Sequence, residues 1–182
     1  MTIATSGSNT ARRTPGEIAI ASWGVFGVLL LLGQALRRLA PYALEPIRAG
    51  SLTTPEAALY AGWVAVAAYT EGYSAFQKRW CPRVVARAFH LARHPRRTHV
   101  LLAPVFCMAL FHASRRARLL AWATTALIVC FILILRRTPQ PWRGIVDGGV
   151  VVGLGWGVAA ILYFFVRGLG GRAMPVSAEL PE

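Results

Sequence analysis

Long apolar runs dominate this chain and leave it little choice of solvent. Residues 18–36, 119–135 and 145–166 are stretches of 19, 17 and 22 residues that carry a single charge, Asp147. An α-helix rises 1.5 Å per residue, so about 20 such residues cross a hydrocarbon core of roughly 30 Å. The run 57–76 has a similar length and includes Glu71, whereas 100–113 has only 14 residues and contains Pro104. A run of that length suits a short span, a re-entrant segment or a buried helix. The expected fold is therefore all-α: a polytopic membrane helix bundle over residues 17–167 with four to five transmembrane helices, near 18–36, 57–76, 98–114, 119–135 and 145–166. Residues 1–16 and 168–182 read as disordered tails, the first of them cytoplasmic.

Arg12 and Arg13 precede the first run, as in a signal peptide. Nineteen residues are too many for a signal core, and no small-residue cleavage site follows, so a spanning helix is expected. After it, a loop is expected over 37–55, which contains Pro41, Pro46 and Gly50. The sequence Thr53-Thr54-Pro55-Glu56 then marks a helix start, with a threonine cap and proline in the first turn.

Twenty Lys and Arg against seven Asp and Glu give a net charge of +13. The basic residues lie between the apolar runs, as in loops held against anionic lipid head groups. A nucleic-acid surface would interleave them with aromatics along one face, so no nucleic acid is expected as a partner. Four crossings place 14 Lys and Arg on one side and 6 on the other; five crossings give 12 and 8. Both counts put the N-terminus and a basic loop over 77–97 in the cytoplasm, and they disagree about the C-terminus. The Arg-over-Lys and Ala-rich bias suggests the inner membrane of a bacterium. Within the basic loop, Val84, Val85, Ala88, Phe89 and Ala92 recur at helical spacing opposite Arg83, Arg87, His90 and His94. That pattern suits an amphipathic helix, lying in the interface or packed on the protein.

Gly149, Gly153 and Gly157 stand four apart, with Gly144 and Gly148 as a second such step. Glycines at this spacing line one helix face and admit another backbone closely, which matters in lipid, where apolar burial gives helices no reason to associate. Ala57, Ala61 and Ala65 on the second helix are the expected counterpart. The seam lies within the chain, or it joins the chain to a homo-oligomer or another membrane protein.

Chemistry is sparse, and no catalytic residue, cofactor or metal is assigned. Cys81, Cys107 and Cys130 are scattered and read as small core residues. His90 and His94 share a helix face, as two metal ligands would, but residues 72–146 include no Asp or Glu. His99 and His112, thirteen apart, fall about 220° from each other on a continuous helix, which excludes a shared ligand face. Glu71 and Asp147, acidic groups in or beside apolar helices, are ligand-binding candidates by cost alone, and Arg143 could pair with Asp147. Asp147 also falls in the first turn of its expected helix, where the macrodipole favours an anion.

Arg137, five residues, Arg143, three residues, Asp147, and then a glycine-rich helix resembles the third motif of the type 2 phosphatidic acid phosphatases, Ser-Arg, five residues, His, three residues, Asp. Residues 95–100 with His99 are loosely similar to that family's Pro-Ser-Gly-His motif. The resemblance implies a general acid at His99 and a phosphate ligand at Arg137. The family's nucleophilic histidine falls on Arg143, so it implies an inactive relative that kept an anionic pocket. Three functions follow as expectations. The first is a non-enzymatic accessory or assembly subunit acting through helix contacts. The second is a small transporter or lipid-handling protein for an anionic head group, and the third a divergent, inactive lipid-phosphatase-like protein.

Overall fold

A computed structural model describes residues 14–171 together with 175 and 176. The described residues are helical throughout: α1 (Pro15–Arg48), α2 (Thr54–Ala67) continued by a π-helical segment (Ala68–Trp80), α3 (Cys81–Arg93), α4 (Arg97–Leu101), α5 (Ala103–Cys107), α6 (Arg115–Leu135) and α7 (Trp142–Leu169). Of these, α1, α6 and α7 are long and apolar enough to cross a membrane. The greater part of the expected disordered tails lies outside the described residues, although Pro15 and Gly16 already belong to α1 and Gly168 and Leu169 to α7.

Both expected helix starts follow local hydrogen bonding. The amide of Thr14 donates to Glu17 Oε2 at 3.2 Å and the amide of Glu17 to the Thr14 hydroxyl at 3.3 Å, so α1 begins on a closed capping box. Glu56 Oε2 accepts from the Thr53 amide at 2.8 Å and from its hydroxyl at 2.7 Å ahead of α2.

The loop expected after residue 36 is instead helix as far as Arg48, with Pro41 and Pro46 inside it. A proline within a helix deprives the carbonyl four residues earlier of its donor. For Pro46 that carbonyl belongs to Tyr42, and Gln140 Nε2 donates to it at 3.3 Å from the approach to α7. The same amide reaches Glu45 Oε2 at 2.8 Å, while Gln140 Oε1 accepts from the Gly144 amide at 3.0 Å. One side chain thus repairs α1 and joins its end to the start of α7.

The core is built around α3. Ala21, Val25 and Val28 of α1, Ala103, Phe106 and Cys107 of α5, and Ala160, Ile161 and Phe164 of α7 close over Cys81, Val84, Val85, Ala88, Leu91 and Ala92. The amphipathic helix expected within the basic loop is therefore α3, central to the core, with its apolar side covered by protein. Arg87, expected on the polar side, is only 1% exposed. It stands three residues after Val84 and four before Leu91, on the same helical arc as those buried residues.

The glycine face of α7 meets α2 and the π segment, though not through the alanines expected. A Cβ at Gly148 would overlap the Tyr60 phenol, and one at Gly149 the Trp63 indole. A Cβ at Gly153 would come within 3.0 Å of Glu71 Oε2, and one at Gly157 within 2.8 Å of the Phe76 ring. Ala61 and Ala65, expected to face these glycines, are exposed. Positions 60, 63, 67 and 71 turn toward α7, so large side chains fill most of the glycine notches, while Ala67 meets Gly149 in a small-on-small contact, 3.0 Å from an added Cβ.

The expected helix over 98–114 is broken. Pro104 opens α5, and Ala109 and His112 adopt left-handed backbone at φ 61° and 49°. The chain there turns back on itself before Ser114 caps α6, its hydroxyl accepting from the Ala117 amide at 3.3 Å.

A Leu at Gly149 must displace the Trp63 indole, while Gly155 has nothing within 4 Å. We expect Gly149→Leu to destabilise the bundle by about 1–3 kcal/mol. Gly155→Leu is expected to be neutral or mildly stabilising, and thermal melts of both variants in detergent make the comparison.

Candidate functional site

Polar chemistry gathers at two places, at opposite ends of α6. The first is the start of α7. Arg143 Nε lies 3.5 Å from Asp147 Oδ2, and Asp147 is 3% exposed. The approach is close without the alignment of a hydrogen bond, since neither of these two atoms has a hydrogen-bond partner. The Arg143 guanidinium also lies 3.6 Å from the centre of the Tyr42 ring. Because α7 begins at Trp142, Asp147 sits in its second turn and not, as expected, in its first. Its partner is therefore a side chain one turn earlier, and the helix end contributes less. Glu71 faces Gly153, about 9 Å further along α7 by helical rise. The Trp63 indole donates to the Val146 carbonyl at 3.4 Å and the Tyr60 hydroxyl to the Ala43 carbonyl at 3.0 Å, so aromatic groups close this seam.

The second centre holds all four histidines of the chain. His90 and His94 on α3 stack with ring centres 4.8 Å apart, and His99 on α4 lies 4.5 Å from His112 by the same measure. Phe106 stacks on His99 at 5.4 Å. These side chains, with Leu91 and Arg96, line one cleft of about 240 Å3. On a continuous helix His99 and His112 would face apart; the left-handed turn after α5 brings His112 back over α4.

Arg87 holds that turn. Its Nε donates to the Phe106 carbonyl at 2.7 Å, and Nη2 donates to the carbonyls of His112 at 2.8 Å and Phe111 at 3.4 Å. The guanidinium carbon stands 4.7 Å from the centre of the Phe106 ring. A rigid fork suits this work, because carbonyls left without donors by an irregular turn need several N–H groups from one direction. Left-handed backbone at a non-glycine residue is costly, and it persists where the surroundings determine it this strongly.

Of the residues singled out from the sequence, Arg143 and Asp147 come together and His99 joins the other histidines. His99 and Arg137 do not meet. Arg137 follows the last turn of α6 and is exposed, while His112, the neighbour of His99, precedes its first. Twenty-one residues of helix span about 31 Å, so the two positions required of a single phosphate site are a bilayer's thickness apart. Comparison with protein-family models, curated proteins and solved structures gives no match. Arg87 was missed because an arginine in a basic segment reads as solvated; the signal was its apolar neighbours at three and four residues.

Among the described residues, no three His, Cys, Asp or Glu side chains converge where a metal ion could sit. The cleft is instead a convergence of groups that donate hydrogen bonds and carry or acquire positive charge. Desolvation holds His90 below its ordinary pKa, reinforced by His94, Arg87, Arg93 and His112. His99 is lowered as well, by desolvation, His112 and Arg96. The fold therefore resists protonating these rings.

Two expectations follow. Replacing Arg87 with Met strands several buried carbonyls and should cost about 2–5 kcal/mol, with Arg87→Lys failing to restore the fork; melting curves in detergent read both. The second concerns pH. A histidine lowered by folding takes up its proton more readily in the unfolded chain, so stability is lost as pH falls through the ordinary value of 6.5. The thermal midpoint in phosphate-free buffer should drop between roughly pH 7.5 and 5.5, and His90→Gln should flatten that drop.

Proposed function

We propose that this chain is a multi-pass membrane protein of four crossings that works as a non-enzymatic accessory or assembly subunit, with α6 as its docking helix. The observation that carries the reading is the isolation of α6. Only 6% of its apolar window is buried within the chain, against 28% for α1 and 33% for α7, and α6 packs substantially on no other helix. Its base is tethered by the Trp122 indole, which donates to the Leu110 carbonyl at 3.0 Å, and at its far end Leu135 is buried. Lipid can cover such a helix; in this reading a partner helix does so instead, packing along the face that the described bundle leaves open.

The fourth crossing is the continuous helix from Thr54 to Trp80, formed by α2 and the π segment. Its support is geometric. The Trp23 indole of α1 donates to the Val100 carbonyl at 3.1 Å, so the start of α1 lies with α4. Near its other end, α1 meets Gln140 and Gly144 at the approach to α7, and Phe165 late in α7 stacks with Phe89 of α3 at 5.8 Å. Both described ends of the chain thus lie on the side of α3–α5. With four crossings that side holds 14 Lys and Arg against 6, which makes it the cytoplasmic face of the cell membrane, an inner membrane if the source is a bacterium.

The experiment is native mass spectrometry of the full chain, gently solubilised from its own host membrane. A stoichiometric second membrane protein, or a defined homo-oligomer, is expected. Leu127→Ala with Ile134→Ala should reduce that association at least about tenfold without lowering the thermal midpoint, because both side chains are exposed in the isolated chain. A lone chain under every mild condition would overturn the reading and favour lipid handling by the Asp147 end.

A further inference from the structure

We infer that the histidine-lined cleft between α3, α4 and the turn after α5 is a binding site for a phosphate-class anion, either free phosphate or the phosphate of a lipid head group. The inference is independent of the subunit reading, which rests on α6.

Three observations meet here. First, the lining is one-signed. His90, His94, Arg96, His99 and His112 supply the polar groups, and none of the lining residues is acidic. Residues 72–146 carry no Asp or Glu at all, so no carboxylate along that stretch competes for these donors. Second, the site is constructed by tertiary structure. His112 reaches it only through left-handed backbone, and the buried fork of Arg87 holds that turn from beneath. A fold seldom keeps two left-handed non-glycine residues where nothing is to be positioned. Third, α6 begins three residues after His112, with Arg115, Arg116 and Arg118 in its first turn. Cations there oppose the helix dipole, and a bound anion nearby would offset both them and the protein's own field.

The chemistry selects the ligand class. Imidazoles paired at close range, one pair stacked and the other tilted, present N–H groups at their edges, and Arg96 adds a planar fork, an arrangement that suits tetrahedral oxyanions with several acceptor oxygens. The paired rings do not aim three nitrogens at one point, which is what a cation would need. A cleft of about 240 Å3 is several times the roughly 30 Å3 occupied by one liquid water, so it admits a phosphate ester as well as a bare ion.

Full-length protein in an uncharged, phosphate-free detergent is titrated with inorganic phosphate and, separately, with chloride at equal ionic strength. Thermal stability is followed by tryptophan fluorescence. In a second arm the protein sits in phosphatidylcholine nanodiscs with or without phosphatidic acid. A saturable rise in the thermal midpoint beyond the chloride control identifies free phosphate as the ligand. A rise confined to phosphatidic acid identifies the head group. Arg96→Gln with His99→Gln changes two lining side chains outside the core; it should weaken the effect at least about tenfold and leave the ligand-free midpoint within a few degrees. His94→Gln, at an exposed position, repeats the test should the double variant fold poorly. No saturable response in either arm overturns the inference, as does a response that survives in the variants or that chloride matches.

Discussion

The turn between α5 and α6 exists because one arginine is buried beneath it. Without the guanidinium of Arg87, the half-buried carbonyls of Phe111 and His112 would lose its N–H donors and the buried Phe106 carbonyl would keep only the Ala109 amide, at 3.1 Å. The turn decides where α6 departs. It also folds His112 over His99, and it lets α3, a helix of modest apolarity, occupy the centre of the core. A charge in that position is costly in isolation, and here it is spread over several carbonyl dipoles and one aromatic face. The interaction is therefore structural first, and the cleft above it follows.

A second constraint operates along α7. In lipid, helices gain nothing from burying apolar surface against each other, and close contact must supply the attraction. Gly148, Gly149, Gly153 and Gly157 open notches in α7 that Tyr60, Trp63, Glu71 and Phe76 fill. The converse occurs once, where Gly72 on the π segment receives Trp156 from α7 at 2.9 Å from an added Cβ. These contacts set a large side chain on one helix against none on the other, with Ala67 beside Gly149 as a small-on-small exception, so sliding by one turn would cost several overlaps.

Features set by composition and local spacing were legible in the sequence: the helical class, the apolar runs that become α1, α6 and α7, and the capped start of α2. What required distant partners was not. Pro41 and Pro46 argue for a loop until Gln140, nearly a hundred residues away, supplies a donor to Tyr42. Ala109 and His112 give no turn signal, because neither is the glycine that left-handed backbone usually calls for. His99 and His112 look incompatible for the same reason. Gly148, Gly149, Gly153 and Gly157 of the glycine steps lie against side chains of α2 and the π segment, whereas Ala61 and Ala65, the residues expected opposite them, are exposed. The candidate site divided likewise: the Arg143–Asp147 pair was visible as a four-residue step, but the histidine cleft is a product of tertiary structure.

The bond from Gln140 to the Tyr42 carbonyl has an evolutionary consequence. Pro46 and Gln140 form a single arrangement spread over two helices: the proline creates a vacancy in α1 and the amide fills it. Losing the glutamine alone leaves an open carbonyl, and losing the proline alone restores the helix's own donor and makes the amide a competitor for it. Neither change is neutral by itself, so lineages descending from this chain should alter the two positions together, a covariation between residues 94 apart in sequence whose cause is one missing backbone hydrogen.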